Sequence, residues 1–127
     1  LEPKTLQRAR HVVTENERVL QAVEALKKGD LKLMGSLMKA SHVSMRDDFE
    51  ISTPEINALV EIIDDVIKGE GGVRLTGAGF GGSVVCLAPA SKVDAVRAAV
   101  QAEYPKRSGG VEGTVYVCTP HQGAHVI

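Results

Sequence analysis

The sequence predicts a single α+β domain in which an antiparallel sheet packs against helices. Two long stretches of helical period fill the first half, and a third follows them. Two short β-branched runs then flank a glycine-rich segment, and the full order reads helix, helix, helix, strand, strand, helix, strand. At 127 residues the chain is long enough for one core, since a domain of that size buries roughly two-thirds of its unfolded surface. No repeat, low-complexity tract or long linker divides it.

From Thr5 to Lys28, Leu6, Ala9, Val13, Leu20, Val23 and Leu26 recur mostly three, four or seven apart among charged residues, which predicts a long amphipathic helix. Gly29 is placed to end it in a left-handed conformation, and Asp30 to cap a second helix with a stripe of Leu31, Met34, Leu37, Met38, Ser41 and Met45. At Ser52-Thr53-Pro54-Glu55 a third helix begins, either through a Ser52/Glu55 capping box or through a Thr53 cap with Pro54 in the first turn. Its buried face is Ile56, Leu59, Val60, Ile63, Val66 and Ile67, and Gly69 with Gly71-Gly72 stops it. The period then shortens. Val73 to Thr76 and Ser83 to Leu87 read as strands, the second closed by Pro89. Ser91 is expected to cap a fourth helix through about Glu103, with Val93, Val96 and Val100 inward, before Pro105 and Gly109-Gly110 open a loop. A last strand is expected over about Thr114 to Cys118.

Composition excludes several classes. A net charge of −1 gives no electrostatic footprint for nucleic acid. No apolar run approaches the roughly 18 residues of a membrane span, and nothing resembles a signal peptide, so the expected setting is cytoplasmic with no membrane partner. Cys86 and Cys118 lie in β-like apolar sequence without a CxxC or a nearby His, and both are expected as reduced thiols in the core. The chain opens Leu1-Glu2-Pro3 without an initiator Met, as a fragment or processed product would.

Gly77-Ala78-Gly79-Phe80-Gly81-Gly82 concentrates four glycines in six positions between the two strands. Gly77, Gly79 and Gly82 satisfy G-x-G-x-x-G, but a dinucleotide fingerprint opens a helix, whereas Ser83-Val84-Val85-Cys86-Leu87 reads as a strand. A Walker A loop fails too, because no Lys precedes Ser83. Two readings stay open: a strand connection that uses positive φ, with Phe80 anchored in the core, or a loop whose unobstructed N–H groups face an anion.

Arg74 to Gly82 resembles the third, C-terminal glycine motif of the GHMP small-molecule kinases, in its galactokinase form. Arg8-Ala9-Arg10-His11-Val12-Val13-Thr14-Glu15-Asn16, the run from His42 to Val60, and Val115-Tyr116-Val117-Cys118 also resemble galactokinase segments in the right order, so nearly the whole chain is covered. Two positions depart: Asn57 stands where galactokinases commonly carry Asp, and Ala78 where many carry Gly.

The resemblance implies a ferredoxin-like antiparallel sheet packed against helices, with residues 1–127 as a C-terminal domain and the N-terminal catalytic domain absent. It implies an intact enzyme that uses ATP and magnesium to phosphorylate the anomeric hydroxyl of galactose. The sugar signature, phosphate loop and catalytic Asp and Arg of the family belong to that absent domain, so no catalytic residue or metal ligand is assigned here. The isolated chain is accordingly expected to be inactive. Gly77, Gly79, Gly81 and Gly82 are the best nucleotide-proximal residues, with Ala78 and Phe80 shaping the loop and Arg74 and Ser83 facing the cleft. Arg46, Asp47 and Asp48 are expected to form the exposed end of the second helix or salt bridges, and His42 to be a hydrogen-bonded structural residue. Two readings from other classes are a noncatalytic galactokinase-like sugar sensor and a ferredoxin-like small-molecule-binding regulatory module.

Overall fold

A computed structural model describes residues 2–127. Helix α1 runs Pro3–Lys28, with Pro3 in the first turn, where a missing N–H leaves no bond unmade. Gly29 at φ +66° ends it, and Asp30 caps α2, Leu31–Ser44, by accepting the Leu33 N–H at 3.0 Å. A π turn, Met45–Phe49, continues α2 and closes at Glu50 (φ +59°). Of the two possible starts for α3, Pro54–Ile67, the fold uses Thr53, whose hydroxyl accepts the Ile56 N–H at 3.2 Å. Ser52 turns instead to Asn57.

Strands β1, Gly72–Thr76, and β2, Ser83–Leu87, pair antiparallel from Gly72 opposite Leu87 to Thr76 opposite Ser83. β1 is covered on both faces, so its alternation is put to two uses. Val73 joins Ile62, Ile63 and Ile67 of α3 in the larger core cluster, while Leu75 packs with Met45, Ile51 and Ile56. Gly72 on the opposite parity meets α2 so closely that a Cβ on Gly35 would fall 1.9 Å from the Gly71 carbonyl oxygen. This backbone-to-backbone crossing lets α2 lie on β1, and nothing in the helical pattern around Gly35 announces it.

The fourth helix departs from expectation at both ends. Ser91 does not cap; it lies in a 3₁₀ turn, Ala90–Lys92, whose Lys92 N–H is accepted by Pro89. Helix α4, Val93–Arg107, passes through Pro105 instead of stopping near Glu103. It does so because its last turn closes on Tyr104 and Pro105 carbonyls, bonded by the Ser108 and Gly110 N–H groups, and because Val96, Val100 and Tyr104 hold the helix on the core.

The strand expected over Thr114 to Cys118 is absent. That segment is extended and Val115 packs on the larger core cluster, yet a cavity of about 620 Å³ lies between residues 82–86 and Val111 to Tyr116, and no ladder forms across it. β-branched sequence makes an extended segment, but a strand also needs a partner edge within hydrogen-bond reach. Of the two free thiols, Cys86 is half-buried on β2, whereas Cys118 is exposed, because the segment that carries it is not part of the sheet. The described residues therefore form four helices and one two-stranded sheet, an α+β fold. None of the helices is long and apolar enough to cross a membrane among the described residues.

The largest revision concerns α1. Its inward positions are Arg8, His11, Glu15, Arg18, Ala22 and Ala25, all buried or half-buried, whereas the predicted apolar stripe of Leu6, Ala9, Val13, Leu20, Val23 and Leu26 is exposed. Periodicity identified the helix correctly and assigned the wrong face to this core. Polar partners on α2 explain the inversion: Ser41 donates to Glu15 at 2.7 Å, and Ser44 lies 2.8 Å from His11 Nδ1.

Candidate functional site

The glycine segment connects β1 to β2 as a loop in which five of six residues have positive φ: Gly77 (+86°), Gly79 (+87°), Phe80 (+61°), Gly81 (+125°) and Gly82 (+91°). The φ sign changes from Gly77 to Ala78 and again to Gly79, an alternation that glycine permits. Two kinds of constraint act along the loop. A Cβ on Gly77, Gly81 or Gly82 would meet nothing within 4 Å, so those glycines serve the backbone conformation alone. At Gly79 a Cβ would sit 2.7 Å from both Ile51 Cβ and the Ile51 carbonyl oxygen, which presses the loop against the turn between α2 and α3.

Phe80 fastens that contact, but through its backbone. Its N–H bonds to the Ile51 carbonyl, while its ring is 72% exposed and anchors nothing in the core. A non-glycine residue in the left-handed region is strained by roughly 1–2 kcal/mol, and the Ile51 bond is what holds it there.

The remaining candidates diverge. Ser83 is exposed at the start of β2 beside Gly82, on the rim of the larger cavity. Arg74 turns to the helices: its Nε donates to the Leu75 carbonyl at 2.9 Å and its Nη1 to Ser41 at 2.9 Å. Ser41 in turn donates a hydrogen bond to Glu15, and Arg18 Nε, donating to the same carboxylate at 3.0 Å, completes the chain. Burial pushes the Glu15 carboxyl up, but the Ser41 hydroxyl and Arg18 guanidinium outweigh it and hold the group below the usual carboxylate range. This polar chain closes one end of a cavity of about 340 Å³ floored by Val19, Met34, Leu37 and Leu87.

Beneath the loop, His42 is buried and fully committed. Its Nδ1 accepts the Leu75 N–H at 3.1 Å, which places the proton on Nε2, where it is donated to Asn57 Oδ1 at 3.1 Å. Asn57 Oδ1 also accepts the Ser52 hydroxyl at 2.7 Å. Burial lowers the His42 pKa, and the charges of Arg46 and Arg74 lower it further against the opposing Asn57 bond. With both nitrogens used, His42 secures the α2, α3 and β1 junction and has no lone pair for chemistry.

The acidic end of α2 is salt-bridged, as its charge run predicts. Arg46 forks onto Asp47 at 2.7 and 2.9 Å, Arg10 meets Asp48 at 3.3 Å, and Lys4 and Arg8 converge on Glu50. His11 stacks on Phe49 with centroids 4.7 Å apart. Among the described residues no three His, Cys, Asp or Glu side chains converge as a metal site.

The chain belongs to the GHMP kinase family, matching the family described as GHMP kinases C terminal over residues 22–106. More narrowly, it is 58% identical to the galactokinase of Actinobacillus succinogenes over 125 residues, 98% of this chain and 32% of that protein. The fold matches Lactococcus lactis galactokinase, solved with galactose, at a TM-score of 0.76 and 39% identity, covering 85% of this chain and 28% of that one. It also matches L. major mevalonate kinase, solved with R-mevalonate, at a TM-score of 0.72 and 32% identity, over 82% of this chain and 31% of that one. The chain thus spans about a third of the length of the relatives it matches.

Proposed function

We propose that this chain is the C-terminal domain of a galactokinase, which transfers the γ-phosphoryl group of ATP to the anomeric hydroxyl of galactose. The new bond joins that oxygen to the γ-phosphorus as the bond to the β-phosphate oxygen breaks, giving galactose 1-phosphate and ADP. The observation that carries this reading is the 58% identity to a galactokinase across 98% of the chain. The loop adds a physical counterpart: a Cβ on Gly77, Gly81 or Gly82 would meet nothing within 4 Å, and residues 77–82 carry no carboxylate to repel a phosphate.

Phosphoryl transfer depends on positioning and on dipoles aimed at developing charge. In this reading Gly77, Gly79, Gly81 and Gly82, with Ala78 and Phe80, form a wall at or beside the nucleotide phosphates. Ile51 and the His42 junction keep that wall in place. Ser83 stands at its edge; Arg74 acts from behind, bracing α2 against β1. ATP fits the loop. Magnesium has no ligand set among the described residues, so it would enter with the nucleotide and be held by the preceding part of the polypeptide, which also supplies the catalytic and sugar-binding groups. The ferredoxin-like arrangement and a cytoplasmic setting belong to the same proposal, and the extended segment around Val115, packed on the core near β2, supports the former.

The test compares the intact polypeptide with the 127-residue chain in a coupled ADP assay. Galactose-dependent ADP formation is expected from the intact protein alone. Its absence there, or its presence with the short chain, would sink the proposal.

A further inference from the structure

The smaller cavity is apolar along its walls and charged at one end. Strand β2 accounts for much of the apolar part. Val84 and Cys86 turn to the larger core cluster, so the alternate residues Val85 and Leu87 face the other way, and Val85 stays 45% exposed there. Val19 of α1 with Met34 and Leu37 of α2 complete the walls of a space of about 340 Å³. Its polar end is the hydrogen-bonded chain Arg74, Ser41, Glu15, Arg18. No other charged side chain lines the cavity, so two guanidiniums stand against one carboxylate and leave one positive charge in excess.

We propose that this cavity binds a small monocarboxylate with a short apolar tail, the head held by Arg18 and Arg74 and the tail laid along Val85 and Leu87. The guanidiniums have donors to spare. Arg18 uses Nε on Glu15 and Nη2 on Thr14, and Arg74 uses Nε on the Leu75 carbonyl and Nη1 on Ser41, so among the described residues Arg18 Nη1 and Arg74 Nη2 donate to no protein group. No buried polar side-chain atom among the described residues lacks a partner, which leaves both spare groups reachable by solvent or a ligand. The side chains of Arg18 and Glu15 are only 17% and 22% exposed, so their charges are screened less than those of an open surface. A mere packing gap would be lined by apolar groups throughout, since drawing cations to its end costs desolvation. The charge count selects the head group. A guanidinium fork matches the two oxygens of a carboxylate, and one negative charge balances the one in excess, whereas a phosphate dianion would overcompensate beside Glu15. The volume lies at the lower end of small-molecule sites, which keeps the tail short, and Met34 and Met38 let the walls adjust to it. None of residues 77–82 lines this cavity, so the site is separate from the glycine loop and does not depend on the kinase reading.

The test titrates the intact polypeptide, isotope-labelled at its methionine methyl groups, with sodium hexanoate, sodium octanoate and, as the cationic counterpart, octylamine. Met34 and Met38 line the cavity and report its occupation by nuclear magnetic resonance, their signals assigned through Met34→Leu and Met38→Leu. Met45, in the other core cluster, is the internal control. Octanoate is expected to shift the Met34 and Met38 signals and not that of Met45, and to bind about tenfold or more tightly than octylamine. Lengthening the tail from hexanoate to octanoate should tighten binding by about fourfold per methylene. Arg18→Gln is expected to weaken octanoate binding about tenfold, and Glu15→Gln to strengthen it by removing the one negative charge at that end. Unmoved Met34 and Met38 signals in the folded protein would overturn the site, as would equal affinity for octylamine or an Arg18→Gln protein that binds octanoate as the wild type does. Should Arg18→Gln fail to fold, the charge and chain-length series on the wild-type protein decide the question. The ADP assay judges the galactokinase reading separately, because octanoate binding is expected whatever the protein phosphorylates.

Discussion

Gly79 is the residue at which loop conformation and packing coincide. Both its φ of +87° and its contact with Ile51 exclude a side chain, whereas Gly81 has the positive φ without the neighbour. Gly81→Ala is therefore expected to cost about 1 kcal/mol, and Gly79→Ala about 2 kcal/mol or more, in urea unfolding. If the two cost the same, the Ile51 contact does not restrain the loop. The sequence showed that this segment is rich in glycine and lies between strands, but it gave Phe80 the anchoring role. Tertiary structure moves that role to the Phe80 N–H and leaves the ring in solvent. Side-chain hydrophobicity is visible in a sequence, whereas a backbone donor reaching a carbonyl 29 positions earlier is not.

At the scale of elements, α2 lies on β1 because Gly35, Gly71 and Gly72 let two backbones touch. Gly35→Ala is expected to separate them, with a loss of about 3 kcal/mol measured as a lowered urea midpoint. An unchanged midpoint would mean that the crossing tolerates a methyl group. Caps were legible at this scale wherever one side chain decides them, as at Gly29 and Asp30, while the start of α3 stayed open between Ser52 and Thr53 until the fold chose Thr53. They were not legible at α4, where Lys92 follows a 3₁₀ turn and core contacts carry the helix past Pro105. The last extended segment illustrates the same limit, since strand identity belongs to a pair of segments.

For the molecule as a whole, the coupled groups set a pH profile. Burial holds His42 below the ordinary imidazole value, so below pH about 6.5 the unfolded chain takes up a proton that the folded chain refuses. Stability is expected to decline from there down to the folded pKa. Glu15 adds stability that is fully present above about pH 4.3 and is lost as pH falls through its depressed folded pKa. Asp47, lowered by Arg46, and Glu50, lowered by Lys4 and Arg8, act in the same direction from exposed positions. Urea midpoints measured from pH 8 down to about pH 2 should thus fall in two stages. Asn57→Asp places a carboxylate against His42 Nε2, raising the His42 pKa and flattening the first stage. A first stage unaltered by this substitution would remove His42 as its origin.

By itself the sequence determined the local and additive properties: an α+β order of elements, the glycine connection between two strands, the charge run at the end of α2, and a resemblance spread along nearly the whole chain. These follow from nearest neighbours, periodicity and residue chemistry. Only the tertiary structure decided which face of α1 meets this domain, because an apolar stripe states that a helix has a partner without stating where that partner is. It likewise decided that Arg74 braces α2 and that His42 is closed to chemistry, since both outcomes depend on hydrogen-bond partners 33 positions away in sequence.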